Sequence, residues 1–246
     1  MFEPNVQRLL EMIKPGDVVL DIGGWASPFN RANYVLDAQP YETRGFYRTF
    51  GGLESQGGDV EHFSRETWIV RDICEHTPFP FADKSIDWVI CSHTLEDVRD
   101  PLWVCHEMIR IGKRGYIEVP SRAAESSRGW AHPRIVGLPH HRWLIDIDPH
   151  TQDIRFLMKS HMIHAHWRFS LPVNYLRAMS AAAQVQWLFW EGTFSYGETL
   201  LLEADGELER YVASVRPYPA WRLALSALGR RLTSLSTRVG GRLGWR

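Results

Sequence analysis

Val6, Leu9, Leu10 and Ile13 recur at steps of three and four residues. That spacing predicts an amphipathic helix, ended by Lys14-Pro15-Gly16-Asp17. Short apolar runs bounded by turn residues follow at 17–22, 34–37, 68–71, 86–91 and 116–119. Runs of this length without polar alternation predict buried parallel strands. Before the last of them, Asp100-Pro101-Leu102 reads as an N-cap, a first-turn proline and the start of a helix, with Gly112 as the residue that closes it. Strand alternating with helix or loop predicts an α/β fold with an open, doubly wound, mostly parallel sheet.

Two connections depart from a regular crossover. Between Ile22 and Tyr34 there is little room for a helix, and Pro28 restricts where one begins. Between Asp37 and Trp68 the chain is rich in glycine, with Tyr41, Phe46, Tyr47 and Phe50 scattered through it, and it reads as an irregular segment able to cover a site. Beyond Val119 the pattern changes. Arg142–Asp148 and Asp153–Met158 predict a hairpin about Pro149-His150-Thr151, 170–183 a helix, and 185–191 and 199–203 the last strands of the sheet.

Composition changes this picture little. The chain has 246 residues, 44% apolar and 23% charged, with a net charge of −1, so nothing in the balance favours nucleic acid. Cys74, Cys91 and Cys105 are odd in number and widely spaced, which favours a reducing compartment. The first residues carry charges throughout and lack the apolar core of a signal peptide, and no run is apolar enough to span a bilayer. The expectation is a cytoplasmic protein, with peripheral contact to the inner face of a membrane left open by its last residues. Residues 216–246 carry arginines and no acid, around a stripe of Trp221, Leu225, Leu228, Leu232, Leu235 and Val239. Such a helix suits an anionic membrane surface or an acidic partner, and equally suits docking on its own domain.

The chemistry lies at the strand ends. In an open parallel sheet, ligands bind outside the carboxyl ends of the strands near the switch point. Asp21, Gly23, Gly24, Asp37, Asp72, Ser92 and His93 stand at such ends. A carboxylate ending an apolar run must accept hydrogen bonds, because burying it unpaired is costly. Asp21 with the N–H groups of the glycine turn suits the ammonium and carboxylate of an amino acid. Asp37 suits two ribose hydroxyls, and Asp72 an exocyclic amine. A phosphate-binding loop would need Gly-Lys-Ser/Thr after the turn, and a dinucleotide site G-x-G-x-x-G; Gly23-Gly24-Trp25-Ala26-Ser27 offers neither.

VVLDIGGWASPF (18–29), YVLDAQP (34–40) and RDICEHTPFPFADKSIDWVICSHTLEDVRDPLWVCHEMIRIGKRGYIEVPS (71–121) together resemble a class I S-adenosylmethionine-dependent methyltransferase of the methyltransferase-type-11-like group. The resemblance covers about residues 15–121. It implies a Rossmann-like, seven-stranded-type sheet with an inserted cap after the fifth strand. The methyltransferase domain would then be 1–215, the acceptor-side insertion 121–167, and the basic tail 216–246. It also implies S-adenosyl-L-methionine as cofactor, with Asp37 on the ribose, Asp72 and Ile73 at the adenine, and CSHTLEDV, including Ser92 and His93, at the methionine end. The family pattern is acid-x-Gly-x-Gly-x-Gly, and here Trp25 and Ser27 stand at the second and third glycines. Either Gly24 takes the strained position and the indole turns aside, or the turn is degraded and binding is weak. Retained binding is the expectation, because all three acids are present.

Methyl transfer needs in-line positioning more than acid–base chemistry, although a base helps when the acceptor is a hydroxyl. A small-molecule or glycan acceptor, methylated at oxygen, is the expectation, and the resemblance extends to surface-polysaccharide and secondary-metabolite enzymes. The alternative is a non-catalytic cofactor-binding or membrane-adaptor protein that keeps the fold. His140 or His141 is the preferred base, with His93 nearer the cofactor in sequence; Ser121, Arg122, His132 and Arg142 are further acceptor-side candidates. Arg122, Arg128, Arg134 and Arg142 suit an anionic acceptor as well as plain surface exposure. His161-x-x-His164-x-His166 fits no standard structural zinc spacing, so no metal is assigned.

Overall fold

The structure is a computed structural model that describes residues 1–215. The predicted basic helix at 216–246 lies outside the described residues. The strands are β1 (Val19–Ile22), β2 (Tyr34–Asp37), β3 (Trp68–Val70), β4 (Ile86–Ser92), β5 (Gly112–Pro120), β6 (Trp143–Asp148), β7 (Asp153–Met158), β8 (Val185–Glu191) and β9 (Ser195–Thr199). The helices are α1 (Glu3–Met12), α2 (Pro101–Ile111), α3 (Arg122–Glu125), α4 (Val173–Ala178), α5 (Ala181–Gln184) and α6 (Ala204–Ser214).

The chain divides into two compact units. The first holds 1–121, 140–158 and 181–200; the second holds 122–139, 159–180 and the residues from 201 on. The segment 121–167 is thus shared between them, with the β6–β7 hairpin in the first.

In the first unit, six strands form one sheet in the order β3-β2-β1-β4-β5-β8, parallel throughout except for antiparallel β8. This is a Rossmann-like α/β sheet. The strand order reverses beside β1, where β2 and β4 are its two neighbours, so the crevice for a ligand opens there. Side chains of a strand alternate between faces. Leu20, Ile22, Val89, Cys91, Ile117 and Val119 accordingly point into one core, which α2 covers with Val104, Cys105, Met108 and Ile111. Val19, Val35, Trp88, Ile90 and Tyr116 point into the other, which α1 covers with Val6 and Leu9. The same count of two carries Asp21, Asp37, Ser92 and Glu118 onto the α1 face at the strand ends. Full burial of each large aliphatic chain contributes about 1.5–3 kcal/mol. The alternation therefore holds four polar ends on one side against the cost of turning a whole strand over.

Asp100 caps α2 by accepting the Trp103 N–H at 3.0 Å, with Pro101 in the first turn, as predicted. Gly112 does not close that helix in a left-handed conformation: its φ is −92° and it begins β5 directly. It is glycine for want of space, since a Cβ there would lie 2.7 Å from Val89 Cγ2 and 2.8 Å from the Met108 carbonyl oxygen.

Three expectations for the later chain are corrected. The last strand is Ser195–Thr199 rather than 199–203, and it joins β6 and β7 in a separate three-stranded sheet rather than the main one. The apolar run that suggested otherwise is turned outward, with Leu200 61% and Leu202 84% exposed. The helix expected over 170–183 is broken into α4 and α5, because the chain runs extended at Met179.

In the second unit, Lys159 and Glu125 form a buried ion pair. The Lys159 ammonium also donates to the Leu138 carbonyl at 2.7 Å, and Glu125 accepts the Leu138 N–H at 3.2 Å. Leu208 and Val212 of α6, four residues apart, are fully buried. Among the described residues, no helix is long and apolar enough to cross a membrane.

Candidate functional site

Where β1 ends, the chain makes a turn that only glycine accepts easily. Gly23 takes φ +75°, and its N–H donates to the Leu36 carbonyl of β2 at 2.9 Å. A Cβ on Gly23 would meet Thr94 Oγ1 at 2.2 Å, and one on Gly24 would meet Asp21 Oδ2 at the same distance. The left-handed position is therefore Gly23, not Gly24, and Gly24 is held glycine by the Asp21 carboxyl beneath it.

Trp25 turns aside. Its indole stacks on Phe46 with ring centroids 4.6 Å apart, and its Nε1–H donates to the Thr43 carbonyl at 2.7 Å. The backbone is tied as well: the Trp25 N–H donates to Asp37 Oδ2 at 3.0 Å, and the Gly45 N–H to the Trp25 carbonyl at 2.9 Å. The large residue at a glycine position thus anchors the irregular 41–50 segment.

This turn and the end of β4 enclose a cavity of about 220 Å³ that is open to solvent. Asp21, Gly23, Gly24, Ser92 and His93 line it, together with Tyr47 and Leu53 from the irregular segment. The last two were invisible as site residues in the sequence, although the aromatic content of 38–67 had marked the segment as a cover. Asp21 is 4% exposed and accepts the Phe29 N–H at 2.9 Å. Burial raises its pKa to about 7, against the Phe29 hydrogen bond and with help from the Asp37 charge. Ser92 Oγ is buried and has no hydrogen-bond partner among the described residues.

His93 has φ +52° and sits between two acids. Its Nε2 is 3.1 Å from Glu118 Oε1 and its Nδ1 is 3.4 Å from Glu96 Oε1. Glu118 is fully buried, accepts the Phe2 N–H at 2.9 Å, and is hydrogen-bonded by the Tyr116 hydroxyl. Burial opposes a charged His93, but the Glu118 and Glu96 carboxylates outweigh it and push the pKa up to about 9. A ring protonated at neutral pH, with both nitrogens facing carboxylates, does not act as a base. Those two contacts weigh against the candidate role of His93 as base. In return, His93 holds Glu118 below its ordinary range in spite of burial.

The other expected ligand residues do not line this cavity. Asp37 lies behind the turn, with Oδ1 accepting the Gln39 N–H at 2.8 Å and Oδ2 the Trp25 N–H, and burial raises its pKa. Asp72 is half exposed, pairs with Arg99 and accepts the Cys74 N–H at 2.9 Å, and these bonds lower its pKa. Ile73 is buried in the α2-side core. The three acids therefore do not share the wall of one cavity; only Asp21 faces it. His140 and His141 lie beside Asp97, with Nε2 atoms 3.9 and 3.7 Å from its Oδ1.

A family model described as "Methionine biosynthesis protein MetW" matches residues 3–128. The chain belongs to the MetW family. MetW is a family related to the type-11-like group drawn from the motifs, and its model does not name that group. No curated protein matches the chain. Among solved structures, it is similar to the complex between the Haloferax volcanii Trm112 methyltransferase activator and a methyltransferase, at 22% identity over 47% of this chain and 50% of that one, with a TM-score of 0.33. It is similar to a SAM-dependent methyltransferase from Aquifex aeolicus, at 16% identity over 52% and 70%, with a TM-score of 0.34. It is also similar to an S-adenosylmethionine-dependent methyltransferase from Mesorhizobium loti, at 19% identity over 53% and 60%, with a TM-score of 0.33. The MetW-family chain thus spans half the length of the Haloferax chain.

Proposed function

We propose that the cavity at the ends of β1 and β4 holds S-adenosylmethionine, and that the chain directs its methyl group to an oxygen of a small-molecule or glycan acceptor. The observation that carries this is the cavity wall itself. A buried acid, a turn of two glycines and an unpartnered buried hydroxyl meet at the switch point of the sheet. The residues fit the amino-acid end of the cofactor. Asp21 accepts from its ammonium, and the Gly24 N–H and the Ser92 hydroxyl face its polar groups. Asp37, one residue behind the wall, keeps free acceptor capacity on both oxygens for ribose hydroxyls. Asp72 fits less well, because Arg99 holds its carboxylate, and the adenine assignment rests on the motif match alone. A family described by methionine biosynthesis is in keeping with a ligand built from methionine.

When bound, the sulfonium supplies an electrophilic methyl group. The chain's own part is to orient it, with Tyr47 and Leu53 walling the acceptor approach and limiting water. Burial, then the charges of Glu96 and Asp97, raise the Tyr47 pKa, so its hydroxyl stays neutral as a hydrogen-bonding group.

One observation favours a second reading, a binding protein without turnover. The histidine that lines the cavity turns both ring nitrogens to carboxylates, Glu118 at 3.1 Å and Glu96 at 3.4 Å, which leaves neither nitrogen facing an acceptor. Incubation with S-adenosylmethionine and a panel of hydroxylated small molecules and sugars separates the two. Accumulation of S-adenosylhomocysteine above the acceptor-free rate is the expected result. Saturable binding of S-adenosylhomocysteine with no accumulation on any acceptor would favour the binding protein.

A further inference from the structure

We propose that Asp97, His140 and His141 form a binding site for a divalent first-row transition ion. Asp97 follows β4 in the chain, and the two histidines precede β6, more than 40 residues later. One carboxylate oxygen and two imidazole nitrogens all lie within 4.8 Å of one another. The Asp97 Oδ1 to Nε2 distances are 3.7 Å to His141 and 3.9 Å to His140. Ligand atoms on a tetrahedral zinc with bonds of about 2.0–2.1 Å are roughly 3.4 Å apart, so an ion would draw this cluster inward from separations of up to 4.8 Å. Two imidazoles and one carboxylate are a donor set for zinc, cobalt, iron or nickel rather than magnesium or calcium.

Backbone hydrogen bonds on both sides of Asp97 hold the donors together. The Arg142 N–H and the Trp143 N–H both donate to the Glu96 carbonyl, at 2.7 and 3.1 Å. The Trp143 indole donates to the Val98 carbonyl at 2.9 Å. The segment that carries the histidines is therefore laced to the residues before and after the carboxylate. Preorganisation of this kind supports metal affinity, because little chain entropy remains to be lost. His141 is buried and fixes the inner side, while the exposed His140 leaves the outer side open to oxygen ligands from water or from an acceptor. Asp97 also adjoins Glu96, whose carboxylate lies 3.4 Å from Nδ1 of His93 in the cavity wall. The ion would thus stand beside the acceptor approach, a placement that rests on the reading of the cavity given above. The binding itself does not.

The metal alone is therefore the probe. Cobalt(II) is titrated into full-length chain stripped with chelator, and visible absorption and calorimetry are followed. One saturating equivalent with ligand-field bands is expected. His140→Ala, a change at an exposed residue, is expected to weaken binding at least tenfold, and Asp97→Asn likewise. His150→Ala, at the exposed hairpin turn, is expected to leave it unchanged. Absence of saturable binding, or equal binding by native and His140→Ala chains, would overturn the proposal. Because no nucleoside is present, neither outcome depends on the cofactor reading.

Discussion

Asp21→Asn weakens S-adenosylhomocysteine binding by about 10- to 100-fold and flattens its pH dependence. The amide still accepts the Phe29 N–H but no longer offers a charge to the ligand ammonium. A hydrogen bond to a charged group contributes about 1.5–3 kcal/mol, which sets that range. In the native chain the pKa of Asp21 is raised to about 7 from 3.8. If the ligand binds the ionised form, affinity rises about tenfold from pH 6 to pH 8, while His93, at about 9, keeps its charge through most of this window. Stability without ligand runs the other way. The contribution of a carboxyl whose folded pKa is raised is complete below about 4 and is lost as pH rises through about 7. Asp21→Asn therefore leaves the chain as stable as the native or more so at pH 8, while it binds less. Calorimetry at pH 6, 7 and 8, with thermal melts beside it, checks both signs. Native affinity that stays flat or falls with pH would contradict the assigned contact.

Lys159→Met destabilises the second unit by about 3–5 kcal/mol, because it strands the Glu125 carboxylate in a buried position. Gly137 crowds the same carboxylate, since a Cβ there would come within 2.0 Å of Glu125 Oε1, so the acid has no room to swing away. Lys159→Met with Glu125→Gln removes the charge and recovers much of the loss. Amide hydrogen exchange over 122–138 measures the effect, with protection expected to fall roughly 10²- to 10⁴-fold in the single variant. Equal protection in the native and single-variant chains would show that the pair carries no stability.

Much of the site was legible because it depends on alternation and strand ends. Asp21 ends an apolar run, two glycines follow, and the count of two carries Asp21, Asp37 and Ser92 to one face whatever the rest of the chain does. Long-range pairing was not legible. Nothing near Asp72 in sequence announces Arg99, 27 residues on, as the partner of its carboxylate. Nothing joins Asp97 to His140 and His141 until the 140–143 segment is laced to Glu96. Tyr47 and Leu53 reach the cavity through a segment with no period to read. Trp25 is the instructive case: a side chain that looks like an obstruction in the glycine pattern stacks outward on Phe46 and fixes the covering segment. The leucine run at 200–202 misled because strand-like apolarity lies there on the surface, while the true strand, Ser195–Thr199, is mostly polar.

Calorimetric titration with S-adenosylhomocysteine tests the central claim most directly, on the native chain and on Ala26→Trp, which fills the cavity from a wall residue without replacing Asp21 or either glycine. The account predicts micromolar binding by the native chain and at least a hundredfold loss in the variant at an unchanged melting temperature. No binding by the native chain, or equal binding by both, would contradict it.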